Sequence, residues 1–307
     1  MAWSTSDIPD LAGKTAVVTG ANGGLGLETS RALAVAGCHV VMASRNQDKA
    51  ADAAKEILGA SPGASLESVP LDLGSLESIE TAAVTILATH KVVNLLVNNA
   101  GLMAMPEGRT GDGFETQLGV NHLGHWALTA HLLPALLRSD TGRVVTVTST
   151  AHHFGRPIDP ANPHLEGRYD PWRAYGQSKL ANYHFALGLH GKFEEAGVVT
   201  ASLLAHPGLT NTDLQANTVR HGGASGSGEF WHRLAQRTGM SSATGALPQL
   251  RAATDPRARS GQMYAPRFIN AGAPVRRPIL RRFGMERAID TLWGVSEDET
   301  GMSIDLG

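Results

Sequence analysis

Tyr175 and Lys179 stand four residues apart in the run Tyr175-Gly176-Gln177-Ser178-Lys179, inside a stretch of good helix formers with apolar spacing. Residues so spaced share one face of a helix, which points the phenol and the ammonium into the same space. A cation beside a phenol stabilises the phenolate and lowers its pKa, as a tyrosine needs for acid–base work near neutral pH. Far upstream, Thr19-Gly20-Ala21-Asn22-Gly23-Gly24-Leu25-Gly26 follows a short apolar β run, Thr15–Thr19, and opens an amphipathic helix from about Leu25 to Ala36. In that context Gly20 allows a tight turn, Gly24 lets backbone approach a pyrophosphate, and Gly26 permits close helix–strand packing. The helix N-terminus then offers N–H groups and partial positive charge to phosphates. A dinucleotide site and a Tyr–Lys pair together predict hydride transfer.

Elements to position these groups can be read along the chain. Strands are predicted at Thr15–Thr19, His39–Ala43, Leu66–Leu71, Val93–Val97, Arg143–Thr148 and Val199–Leu204. Helices are predicted between them, including a long one from about Phe114 to Leu137. Such alternation predicts an α/β fold, a doubly wound Rossmann-type domain with a parallel sheet covered on both faces. No repeat or linker interrupts it, so residues 1–307 read as one domain. The region 209–251 changes character: His221–Gly228 is Gly/Ser-rich, and Phe230, Trp231 and Leu234 follow. It reads as a substrate-lid insertion; the same composition also suits a surface insertion.

Composition narrows the function classes. An apolar fraction of 42% and a charged fraction of 18% over 307 residues describe a soluble globular chain with a sizeable core. Thirteen His and a net charge of −2 give no basic field, so nucleic acid is not an expected partner. The single Cys38 excludes an intramolecular disulfide and reads as a small core hydrophobe. Residues 1–9 lack a signal-peptide pattern and no apolar run reaches a membrane span, so no membrane partner and a cytoplasmic location are expected. The histidines show no recurring ligand spacing with acids, so no metal is expected. His152 and His153 follow Ser149, yet no nucleophile elbow surrounds that serine, which disfavours a Ser–His hydrolase.

The spacing Gly-x-x-x-Gly-x-Gly preceded by Thr resembles that of the short-chain dehydrogenase/reductase family, and the resemblance runs over nearly the whole chain. Thr19 to Gly26 matches its cofactor motif, Asn98-Asn99-Ala100-Gly101 the motif ending its fourth strand, and Asn121, Ser149, Tyr175 and Lys179 its catalytic tetrad. His206-Pro207-Gly208 with Thr210 resembles the segment that meets the nicotinamide amide. The resemblance implies that Tyr175 exchanges a proton with the substrate oxygen and that Lys179 serves both the phenolate and the nicotinamide ribose. Ser149 would donate to the substrate oxygen as charge develops. Asn121 would lie in a kinked helix, holding a water chain to Lys179. Cofactor contacts are implied at Gly20, Asn22, Gly24, Leu25, Gly26, Asn99, Ala100, Gly101, Pro207, Gly208 and Thr210, with Asp72 and Leu73 at the adenine. Asn121-His122-Leu123-Gly124-His125, Ser149-Thr150-Ala151-His152 and Leu292-Trp293 are similar to the retinol dehydrogenase and protochlorophyllide reductase-like branch, which handles bulky apolar alcohols and carbonyls.

Cofactor choice has its own signal. Where an NAD enzyme places an acid for the ribose 2′-OH, this chain has Ser44 and then Arg45, a pair suited to a 2′-phosphate. NADP(H) is therefore preferred, with NAD(H) as the alternative. The expected function is an NADP(H)-dependent carbonyl reductase or alcohol dehydrogenase acting on a small-molecule substrate. Family habit implies a homodimer or homotetramer. A cofactor-binding sensor without turnover is the rival class, and such degenerate members usually lose the Tyr or Lys that this chain keeps.

Overall fold

The computed structural model describes residues 2–167, 169–210 and 239–306. Thr15–Thr19 (β1), His39–Ser44 (β2), Ser65–Pro70 (β3), Leu95–Asn98 (β4), Arg143–Val147 (β5), Ala201–Ala205 (β6) and Met263–Pro266 (β7) run parallel, and Pro274–Arg277 (β8) closes one edge antiparallel. Among the described residues the order is β3-β2-β1-β4-β5-β6-β7-β8. The chain steps outward from β1 to β3 and then returns past β1 to β4. Strand order therefore reverses between β1 and β4, the place where doubly wound sheets bind ligands at their carboxyl ends.

Nearly every position of β1 and β2 is buried, as expected of strands covered on both faces. Ala16 and Val18 meet a layer made by Gly24–Val35 (α1), Gln47–Ala60 (α2) and a helix at Ser242–Thr254. Val17 faces the opposite way, toward Leu76–Thr89 (α3) and the helical segments that follow β4 and β5.

The expected long helix over 114–137 is three pieces: Thr116–Leu118 (α4), a π-helical turn at Gly119–Leu123, and Gly124–Leu137 (α5). Apolar spacing runs through all three, so the slip to i→i+5 bonding leaves no mark on the pattern. Pro171–Glu195 (α6) carries the Tyr–Lys pair, and Ser242–Thr254 (α7) and Met285–Thr300 (α8) complete the helices. On α8, Trp293 packs edge-on against Trp126 at 4.9 Å between ring centroids, and a Cβ at Gly188 of α6 would collide with the same indole.

The segment 209–251 divides in two. Residues 211–238, which hold the Gly/Ser-rich run and Phe230, Trp231 and Leu234, lie outside the described residues. Residues 242–251 belong to α7, whose Ala246 and Leu250 sit in the core, so this part covers the sheet and is no lid. Cys38 is buried as expected, and burial pushes its thiol up to about 12. No helix among the described residues is long and apolar enough to cross a membrane.

Candidate active site

The crevice between β1 and β4 is built around a tight approach of two turns. Gly20 (φ +66°) leaves β1 in the left-handed region, and a Cβ there would stand 3.1 Å from that of Ala100. A Cβ on Gly26 would run into the Gly20 carbonyl oxygen. Neither position admits a side chain, which is why the chain spends glycine on both. Gly24 (φ +52°) begins α1, and among the described residues no side chain caps that N-terminus. By contrast, Asn46, Ser75, Asp170 and Ser241 cap α2, α3, α6 and α7. Asn22 lies in the turn between β1 and α1.

Thr19 straps the two turns together. Its Oγ1 accepts from the backbone N–H of Asn99 at 2.9 Å and of Ala100 at 3.0 Å, while Asn99 Nδ2 donates to the Thr19 carbonyl at 2.8 Å. His125 extends the strap. Its Nδ1 faces the Asn121 carbonyl at 3.0 Å and its Nε2 faces Thr19 Oγ1 at 2.9 Å. A carbonyl can only accept, so Nδ1 carries the proton; burial pushes this imidazole down to about 4, so Nε2 is bare and accepts from the threonine hydroxyl. Gln249 of α7 ties in as well, donating to Asn99 Oδ1 at 3.1 Å and Thr29 Oγ1 at 2.6 Å.

The four expected catalytic residues converge at this crevice. Asn121 sits in the π-turn, where Nδ2 donates to the Leu102 carbonyl and Ser178 Oγ, both at 2.9 Å, and Oδ1 accepts from Leu102 N–H at 2.7 Å. A Cβ on Gly101 would lie 3.0 Å from Asn121 Oδ1 and 3.3 Å from Lys179 Nζ, so both side chains border that glycine. Ser149 lies two residues beyond β5 and caps the short turn Thr150–His153, and its side chain favours the ionised form of the Tyr175 phenol. Tyr175 and Lys179 project from successive turns of α6, with Nζ 5.9 Å from the phenol centroid.

Electrostatics here differ from the sequence expectation in one respect. Burial pushes the Tyr175 phenol up to about 12, and the Ser149 hydrogen bond pulls it back the other way. Burial also pushes the Lys179 ammonium down to about 8, and Nζ donates to the Val147 carbonyl at 3.4 Å. Burial is the largest cause of both shifts. At neutral pH the phenol is protonated.

The remaining predicted residues lie at strand ends and in the loops that follow them. Ser44 ends β2 and is buried, with its Oγ lacking a hydrogen-bond partner among the described residues. Arg45 next to it is 75% exposed and lies 4.0 Å from Asp72. Asp72 accepts from Gly74 N–H at 2.9 Å, and the Leu73 carbonyl lies against Gly124. Gly208 (φ +78°), following Pro207, is enclosed by Asn270, Met240 and Pro266; Thr210 and Leu25 both press on Gly245, which brings this segment over the start of α1.

His125 and His206 stand in the sequence only as members of longer motifs, without a role of their own, and Gln249 stands in none. Each meets partners more than a hundred residues away or burial that no local pattern signals. Burial pushes His206 down to about 3, with His152, His153 and Lys179 adding to the effect. A pocket of about 230 Å³ opens against the turn after Ser149, lined in part by His152, His153, Leu180, Tyr183, Phe283 and Met285. His152 stacks on Tyr183 at 4.6 Å.

Comparison with known proteins identifies the family. The short chain dehydrogenase family model matches residues 14–222. Short-chain dehydrogenase/reductase prx1 of Penicillium roqueforti is 41% identical over 254 residues, covering 80% of this chain and 71% of the relative. Retinol dehydrogenase 12 of Homo sapiens is 44% identical over 211 residues, 69% of this chain and 65% of the relative. A crystal structure of an uncharacterised protein from Mycobacterium paratuberculosis matches with a TM-score of 0.80 at 36% identity over 100% of both chains. Another, from Beutenbergia cavernae, is described as an NAD(P)-dependent gluconate 5-dehydrogenase with NADP bound at low occupancy. It matches with a TM-score of 0.65 at 28% identity, covering 83% of this chain and 96% of that one. The chain belongs to the short-chain dehydrogenase/reductase family of oxidoreductases. Within it, the chain falls in the retinol dehydrogenase-like branch.

Proposed function

We propose that this chain is an NADP(H)-dependent oxidoreductase that interconverts a carbonyl and an alcohol on a bulky apolar substrate, with Tyr175 as the proton carrier. The observation that carries the reading is the convergence of four groups on one crevice: Asn121 and Lys179 both border Gly101, Lys179 Nζ lies 5.9 Å from the Tyr175 ring, and Ser149 acts on the Tyr175 phenol. A protonated phenol with a serine hydroxyl near it is loaded to donate to a carbonyl oxygen.

The residues present fit a nicotinamide dinucleotide. The uncapped α1 starts at the left-handed Gly24, one turn after the left-handed Gly20, and the orphaned Ser44 hydroxyl stands at the end of β2. Gly20, Asn22, Gly24, Leu25 and Gly26 would hold the pyrophosphate. Ser44 and Arg45 would meet the adenosine 2′-phosphate, and Asp72 and Leu73 the adenine. Asn99, Ala100 and Gly101 would line the floor, with Tyr175 and Lys179 at the nicotinamide ribose and Pro207, Gly208 and Thr210 at the amide. When bound, the nicotinamide ring gives or takes the hydride. The pocket lined by Leu180, Tyr183, Phe283 and Met285 supports an apolar substrate.

Cofactor preference tests the reading. With a bulky aldehyde as substrate, kcat/KM should favour NADPH over NADH by about ten- to a hundredfold, because a charge-assisted contact contributes about 1.5–3 kcal/mol. Arg45→Ala should erode that ratio, and Ser44→Asp should shift it toward NADH by repelling the phosphate. Equal kcat/KM for both cofactors in the wild type would overturn the assignment of Ser44 and Arg45.

A further inference from the structure

At the opposite end of the sheet, three residues remote in sequence meet. His39 opens β2, Glu67 lies two residues beyond its cross-strand partner Ser65 on β3, and His90 is the C-cap of α3. The alternation of strand side chains puts His39 and Glu67 on the same face, beneath the end of α3. Both imidazoles turn Nε2 toward the same carboxylate oxygen, Glu67 Oε2, at 3.5 Å from His39 and 2.9 Å from His90. The rings lie 4.9 Å apart at 34°. A single carboxylate oxygen serves one of them well: His39 Nε2 is buried and has no hydrogen-bond partner among the described residues. The other nitrogen of that ring, Nδ1, meets Ser65 Oγ at 2.7 Å, which fixes the ring with Nε2 aimed inward.

We propose that His39, Glu67 and His90 form a binding site for a divalent cation of the zinc class. Two imidazole nitrogens and a carboxylate oxygen are an established ligand set for zinc, and all three ligand atoms lie within 4.8 Å of one another. Ligand atoms about 2.1 Å from a tetrahedral zinc stand about 3.4 Å from each other, so the site needs only a small closure. Ser65 supplies the outer hydrogen bond that orients a ligating histidine. Side-chain exposures of 28% for His39, 29% for Glu67 and 12% for His90 leave a path for the ion and room for a water as fourth ligand. β2 spans six residues, or about 17 Å, so the site is separate from the hydride-transfer crevice at the strand's other end. The ion would pin β2, β3 and the end of α3 together and stabilise the fold. His39, Glu67 and His90 are too far apart in sequence to display ligand spacing, which is why none was expected.

The test uses the full chain, stripped with chelator and titrated with zinc chloride by calorimetry. The wild type should bind one equivalent saturably and show a raised Tm. His39→Ala and His90→Ala should each weaken that binding by at least about tenfold while leaving NADPH binding unchanged. Unchanged zinc affinity in both variants, or no saturable binding in the wild type, would overturn the site. Zinc-soaked wild-type crystals check it without any substitution: an anomalous peak is expected among the three side chains, and a peak only elsewhere would reject the proposal.

Discussion

Tyr175→Phe is expected to lower kcat for carbonyl reduction by about 10²- to 10⁴-fold, the range general acid–base groups supply, while leaving NADPH affinity largely intact. The phenylalanine ring keeps the edge-on contact with Trp172, at 6.1 Å between centroids in the parent, so packing survives. The hydroxyl that would carry the proton does not. Lys179→Ala should reduce both rate and cofactor affinity, because Nζ borders Gly101 at the crevice as well as the phenol. Steady-state rates and NADPH titration of the two variants separate the roles. A Tyr175→Phe enzyme retaining more than about a tenth of the wild-type rate would remove Tyr175 from the chemistry.

Acid should weaken this protein before its carboxylates titrate. His122, His125 and His206 are buried, and burial pushes them down to about 3, 4 and 3 respectively. Unfolded histidine titrates near 6.5, so between about pH 6.5 and 4 the unfolded chain binds protons that the fold refuses. Stability therefore is full above about pH 6.5 and declines as pH falls, each such group costing up to about 1.4 kcal/mol per pH unit. The three groups together remove about 6 kcal/mol by pH 5 and about 10 kcal/mol by pH 4, which is most of a usual total of about 5–15 kcal/mol. Burial raises Glu115, which acts with the opposite sign, but it is one group. Urea unfolding at pH 7, 6 and 5 should show a falling midpoint. A flat profile across that range would mean these imidazoles are not held neutral inside the fold.

Some of this organisation was legible in the chain because it is local. The strand–Gly–helix context of Thr19–Gly26, the four-residue offset of Tyr175 and Lys179, and the apolar strands at Thr15–Thr19 and His39–Ala43 are all short-range patterns, and the fold uses each as read. Other features turn on partners distant in sequence. The π-turn that places Asn121 interrupts a helix whose apolar spacing never falters. Gly245 and Pro248 obscure the helix at 242–254, which is fixed by packing on Leu25 and Thr210 and by Gln249 reaching Asn99. Burial of Tyr175 and Lys179 was not legible, because charge is visible in sequence and desolvation is not.

Hydride transfer itself is open to one direct observation. NADPH carrying deuterium at nicotinamide C4 is incubated with the wild-type protein and a bulky aldehyde, and the product is analysed by mass spectrometry and NMR. One deuterium on the carbinol carbon of the product, with one NADPH oxidised per alcohol formed, is the expected result. Oxidation of NADPH without deuterium in the alcohol, or no oxidation with any bulky aldehyde or ketone, would contradict the proposed function.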